Sequence, residues 1–144
     1  MWNPKFKKNV TRIENVQRHF TKCVVGHGDL GYEDRLKSLN LPSLEFRRLR
    51  GDLIEAFKIL QHIYDVKTTQ TLFSLTDVTL TRGHNLKLTK NFVRTSGYQH
   101  FFTNRVVNLW NSLPQETVSV GTVNAFQNGL DRYFKDKMFC TNLK

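Results

Sequence analysis

Ser43-Leu44-Glu45-Phe46-Arg47-Arg48-Leu49-Arg50-Gly51-Asp52-Leu53-Ile54-Glu55-Ala56-Phe57-Lys58-Ile59-Leu60-Gln61-His62-Ile63-Tyr64 is the stretch on which the fold turns. Phe46, Leu49, Leu53, Phe57, Leu60 and Tyr64 recur at steps of three and four. Leu44, Ile54, Ile59 and Ile63 widen that stripe, so the spacing predicts one long helix over 43–66 with a broad buried face. Ser43 after Pro42 suits the N-cap, and Glu45 in the first turn suits the positive end of the helix dipole. Gly51 costs about 1 kcal/mol against alanine inside a helix and points to a close approach or a bend. Arg47, Arg48 and Arg50 crowd the first half. They read either as a solvated face, with Arg48 paired to Asp52 and Arg47 beside Glu45, or as phosphate contacts.

The charge of the whole chain bears on that choice. The sequence has 144 residues, with 22 basic against 12 acidic side chains and a net charge of +10. A chain this long is ordinarily one domain able to bury a sizeable core. The basic excess favours a polyanionic partner, nucleic acid first and an anionic membrane second. It is spread over both halves of the sequence, so a binding surface has to come from the fold and not from a tail. Two cysteines, Cys23 and Cys140, make no disulfide framework. No apolar run reaches the roughly 18–20 residues of a membrane span, and Lys7 and Lys8 are followed by no signal-peptide core. An intracellular location, nuclear or cytoplasmic, is the expectation.

On the N-terminal side, Phe6, Val10, Ile13, Val16, Phe20 and Val24 predict a helix over 4–25 with that stripe inward. Lys5, Lys8, Arg12, Arg18 and Lys22 load its outer surface, either for solubility or for tracking a polyanion. Gly26 and Gly28 stop it. His19, Cys23 and His27 lie four apart, but Gly26 ends the helix before His27 and a fourth ligand is missing, so no metal site is expected. Cys23 reads as a small buried or half-buried residue. A short helix over 32–39 follows, with Glu33 and Asp34 in its first turn and Leu36 and Leu39 inward.

On the C-terminal side the helical period vanishes after Val66. Runs 78–81 and 86–89 alternate apolar and polar residues around Gly83-His84-Asn85, which makes a candidate short β-hairpin. Helix returns over 99–113 through Phe102, Val106, Leu109 or Trp110, and Leu113, until Pro114 stops it. Trp110 reads as a core anchor, and Arg105 as either an exposed helix residue or a phosphate contact. The last helix spans 123–134 behind Thr122 as N-cap, with Phe126, Leu130 and Phe134 inward; residues 139–144 are expected to fray.

The expected fold class is therefore mainly α. A small helical bundle surrounds one long central helix, with a short β-hairpin, as a single domain over 1–138 in parts 1–66, 67–97 and 98–138. Catalysis has little support. No glycine-rich phosphate loop is present, no serine sits in a nucleophile elbow, and Glu33 with Asp34 is the one adjacent acid pair. No cofactor and no catalytic residue is expected.

Several stretches in order resemble one family. Trp2-Asn3-Pro4 with Ile13-Glu14-Asn15-Val16-Gln17-Arg18, and Tyr32-Glu33-Asp34-Arg35-Leu36 leading into Leu41-Pro42-Ser43-Leu44-Glu45, are two of them. Arg47-Arg48-Leu49-Arg50-Gly51-Asp52-Leu53-Ile54 and Arg105-Val106-Val107-Asn108-Leu109-Trp110-Asn111-Ser112-Leu113-Pro114 are two more, completed by Phe126 and Leu130. Together they are similar to the region after the palm in LINE-type (non-LTR) retrotransposon reverse transcriptases, most like the chicken-repeat and jockey-like elements. The resemblance runs nearly end to end. It implies the thumb and post-thumb part of a polymerase that copies RNA into DNA, begun partway through a larger reading frame. The family's metal-binding aspartates lie in the palm, which would precede Met1, so its activity does not carry over.

A thumb holds the template–primer duplex by its backbone through lysine and arginine. Carried onto this sequence, the implied contacts are Lys5, Lys8, Arg12, Arg47, Arg48, Arg50 and Arg105. The expectation is a non-catalytic fragment that binds RNA, DNA or their hybrid without sequence preference, with the missing polymerase domains as its other partner. The rival is a folded remnant or protein-interaction module, which would expose an apolar patch on the first helix or near Trp2.

Overall fold

A computed structural model describes Pro4 and residues 6–64, 72–76 and 83–140. Trp2, Lys5, Val66 and the run 78–81 lie outside the described residues. The fold is mainly α, and helix-on-helix packing within each of two compact units makes up the core. One unit runs to Arg50 and resumes at Tyr133; the other is Gly51–Arg132. The division falls inside the longest described helix.

In the first unit, α1 spans Lys7–Lys22 and α2 spans Tyr32–Ser38. The long helix α3, Leu44–Leu60, begins here. Asn40 stops α2 at φ 49, with its amide bonded to Lys37 O at 3.1 Å and Leu41 N to Leu36 O at 2.9 Å. That is a Schellman end, with asparagine in the left-handed position and Leu41 above Leu36. Ser43 caps α3 as expected, accepting from Phe46 N at 3.2 Å. Its hydroxyl also donates to Cys140 O at 2.9 Å, and its amide donates to Met138 O at 3.0 Å. The expected fraying at 139 is thereby corrected as far as Cys140, whose carbonyl is tied down. Phe46 and Phe134 meet edge to face beneath it.

The first helix covers only part of its predicted stripe, leaving Val10 and Ile13 half-buried, and centres its inner face elsewhere. Glu14 and Thr21 are its buried residues, whereas Phe6, Val16, Phe20 and Val24 are 63%, 55%, 68% and 40% exposed. The cause is the start of α3. Glu14 reaches across to accept from Leu44 N and Glu45 N, both at 3.2 Å, and from the Tyr32 hydroxyl at 2.8 Å. With Ser43, it satisfies three of the amides a helix start leaves open, and it sets a negative charge where the dipole favours one. Burial, then the bond to Glu14, pushes the Tyr32 phenol well above its usual range. Arg35, also buried, donates to Thr21 Oγ1 at 3.3 Å and to Leu30 O, so α1 and α2 share a polar seam. Cys23 is exposed, which corrects the expectation of burial; α1 has already ended at Lys22, and the cysteine stands beyond it.

The second unit is packed as its periodicity predicts. Leu53, Phe57, Val106, Trp110, Phe126 and Leu130 form its centre, with Phe57 stacked on Phe126 at 4.3 Å. α3 runs unbroken through Gly51 but ends at Leu60 and not at Val66. His62 adopts φ 51, with its amide on Ile59 O at 3.1 Å and Ile63 N on Lys58 O at 3.1 Å. The stripe continues past the cap, but Ile63 and Tyr64 are exposed because the backbone has already turned.

The helix expected over 99–113 is two, α4 at Ser96–Gln99 and α5 at Phe102–Asn111. A further short helix, α6, covers Gln115–Val118, and α7 covers Val123–Tyr133 behind Thr122, whose hydroxyl accepts from Ala125 N at 3.2 Å. A β-carbon at Gly129 would come 3.0 Å from Thr117 Cγ2, so α7 passes close to α6 there and a larger residue would require Thr117 to shift.

The segment expected as the second hairpin strand does pair. Leu88 bridges Leu75 antiparallel, with Thr76 N on Lys87 O and Thr89 N on Ser74 O, both at 2.8 Å. On its other side α5 holds it. Asn111 accepts from Leu88 N and donates to Leu88 O, both at 2.9 Å, standing in for a neighbouring strand. Trp110 Nε1 donates to Leu86 O at 2.8 Å, and Gln115 clasps Asn85 through both ends of its carboxamide. His84, read as part of a turn, is fully buried. Its Nδ1 accepts from Leu86 N at 3.2 Å, which assigns the proton to Nε2 and the bond from Nε2 to Trp110 O at 2.9 Å.

Candidate nucleic-acid interface

The cations named from sequence separate into three situations. Lys8 and Arg12 are exposed one turn apart on α1, and Arg47 is exposed on α3. Arg48 and Arg50 are half-buried. Arg48 Nε and Nη2 sit out of water with no hydrogen-bond partner, a costly arrangement for a guanidinium. The expected Arg48–Asp52 pair is replaced, because Asp52 faces Arg105 instead.

Arg105 is not an open helix residue. Its Nε and Nη2 donate to the two carboxylate oxygens of Asp52 at 2.7 and 2.8 Å, and its Nη1 donates to His100 O at 3.1 Å. The pair is largely buried, with side chains 18% and 7% exposed. A bidentate, charge-assisted contact of this kind orients α5 on the second half of α3. Arg105 is thus committed to structure, and among the described residues Lys8, Arg12 and Arg47 are the sequence-named cations that are exposed.

Of the acids, Asp29, Glu33, Asp34, Glu116 and Asp136 face water as well, but two do not. Glu14 is buried under the α3 start and Asp52 under Arg105, both 5% exposed. Two of the chain's carboxylates are thereby withdrawn from the surface, while cations on the same helices remain outside.

Beside α5 the second unit has an open cleft of about 510 Å³, lined by Lys90, Phe92, Val93, Asn104, Arg105 and Asn108 among others. Asn104 is buried and donates to Tyr98 O at 2.9 Å. Phe92 is 89% exposed, and Tyr98 and Phe101, stacked at 5.5 Å, are 55% and 50% exposed. None of the cleft residues except Arg105 was picked out from sequence. One signal could have found them: from Val78 to Gln115 the chain holds no aspartate or glutamate, while Lys87, Lys90, Arg94 and Arg105 fall within that run.

In the first unit an apolar groove of about 480 Å³ lies among Val16, Phe20, Val24, Leu39, Leu41 and Leu44, with Arg47 at its edge. Among the described residues no group of three histidine, cysteine or acidic side chains could hold a metal ion. His27, one of the three considered from sequence, bonds through Nε2 to Ser38 Oγ at 2.9 Å. No described helix is long and apolar enough to cross a membrane. Compared with protein-family models, curated proteins and solved structures, the chain matches none.

Proposed function

We propose that this chain is a non-catalytic, thumb-derived part of a LINE-type reverse transcriptase, and that it binds the backbone of an RNA or DNA duplex or their hybrid without sequence preference. The observation that carries the reading is a set of water-facing cations on a strongly basic chain. Glu14 and Asp52 are buried, and Lys8, Arg12 and Arg47 face water on a chain of net charge +10. Exposed cations release counterions from a polyphosphate, and that contribution needs no base contact. The test is charge reversal at the three exposed positions, Lys8→Glu with Arg12→Glu and Arg47→Glu. Duplex affinity should fall, and the slope of log K against log salt should shrink by about two to three for three lost phosphate contacts. Unchanged duplex binding by a folded triple variant would sink the reading.

One observation favours a second reading. Val16 and Phe20 of the α1 stripe are exposed, as a protein-interaction module would require. If the triple variant keeps its duplex affinity while Phe20→Ser abolishes association with the rest of a reverse transcriptase, the interaction role is the right one.

A further inference from the structure

The cleft beside α5 has the size of sites that accept small ligands, which run from about 300 to 1,000 Å³. Its chemistry is specific. Lys90 offers an exposed ammonium, Asn108 an exposed carboxamide and Phe92 a ring almost wholly in water, while the buried Asn104 spends its amide N–H on Tyr98 O. Among the described residues no acid lines it. Arg105 lines it too, with three of its five N–H donors taken by Asp52 and His100 O. A lone exposed phenylalanine is ordinary. Here it stands at a cleft that also holds a cation and an exposed carboxamide, in an acid-free stretch of chain.

We infer that this cleft seats one unpaired nucleotide of a single-stranded polynucleotide, with the base stacked on Phe92, its edge toward Asn108 and the adjoining phosphate on Lys90. Stacking on a side chain requires an open base face, which neighbours cover in a duplex. One exposed lysine can meet a single phosphate, and there is no glycine-rich cradle for a free nucleotide's terminal phosphates. A continuing strand supplies what that seat lacks, because further phosphates can meet cations of the same run. The inference rests on the reading that the chain binds nucleic acid, and adds a strand form and a place.

The test measures binding of the full chain to a labelled single-stranded oligonucleotide and to the blunt duplex of the same sequence. Phe92→Ala should weaken the single strand about tenfold and leave the duplex within about twofold, and Phe92→Tyr should restore the single-strand affinity. Lys90→Glu, a second exposed change, should also weaken the single strand and reduce its salt slope by about one. Phe92→Ala without effect on the single strand, or with equal loss of both forms, overturns the cleft. A chain that binds duplex normally but ignores Phe92→Ala overturns the cleft alone. One that ignores duplex yet loses the single strand with Phe92→Ala upholds the cleft and overturns the duplex reading. Indifference to both polynucleotides overturns both.

Discussion

The two units use the same kind of helix in opposite ways. In the second, apolar spacing and burial agree: Val106, Trp110 and Leu113 on α5 and its approach to Pro114 are all interior, as are Phe126 and Leu130 on α7. In the first, α1 carries an equally regular stripe, yet its interior residues are Glu14 and Thr21. The difference teaches that periodicity tells which residues share a face and not which face is covered. In α5 the neighbouring helices need apolar contact. In α1 the neighbour is a helix start with open amides, and a carboxylate serves it better than a phenyl ring does.

Three substitutions break or sharpen this contrast. The largest effect belongs to Trp110→Ala. It empties a fully buried site against Phe126 and removes the bond to Leu86 O, so urea unfolding should show a loss of about 3–5 kcal/mol. Glu14→Ala comes next. It uncovers two α3 amides and strands the Tyr32 hydroxyl, at a cost of about 2 kcal/mol by the same measurement, despite removing an acidic residue from a helix that looks solvated in sequence. The smallest is Phe20→Ser, which should move the unfolding midpoint by no more than about 0.5 kcal/mol, because the ring is 68% exposed. A Phe20→Ser cost as large as that of Trp110→Ala would erase the contrast, and a neutral Glu14→Ala would remove its explanation.

Legibility followed the range of the interaction. Ser43 and Thr122 were readable as caps because each bonds to an amide three residues on, within one turn. The mainly helical fold and the placement of Trp110 in the core were readable from spacing. Glu14 was not, since its amide partners lie 30 and 31 positions away. Arg105 was misread for the same reason: Asp52 is 53 positions distant, and the local candidate Arg48 looked better placed. The end of α3 escaped because histidine is not the usual left-handed cap, although it tolerates that conformation better than most side chains. The cleft residues carry no cluster of cations to mark them, and the informative feature is a long interval without acids.

The carboxamide of Asn111 has a consequence for how this chain can vary. It fixes the register of Leu88, while Gln115 fixes Asn85 a few residues earlier. Lengthening or shortening the chain by one residue between those two anchors would force one of them to let go. Evolutionary indels in this neighbourhood should therefore gather outside the interval, and the spacing from Asn85 to Leu88 should behave as a ruler carried by every working copy.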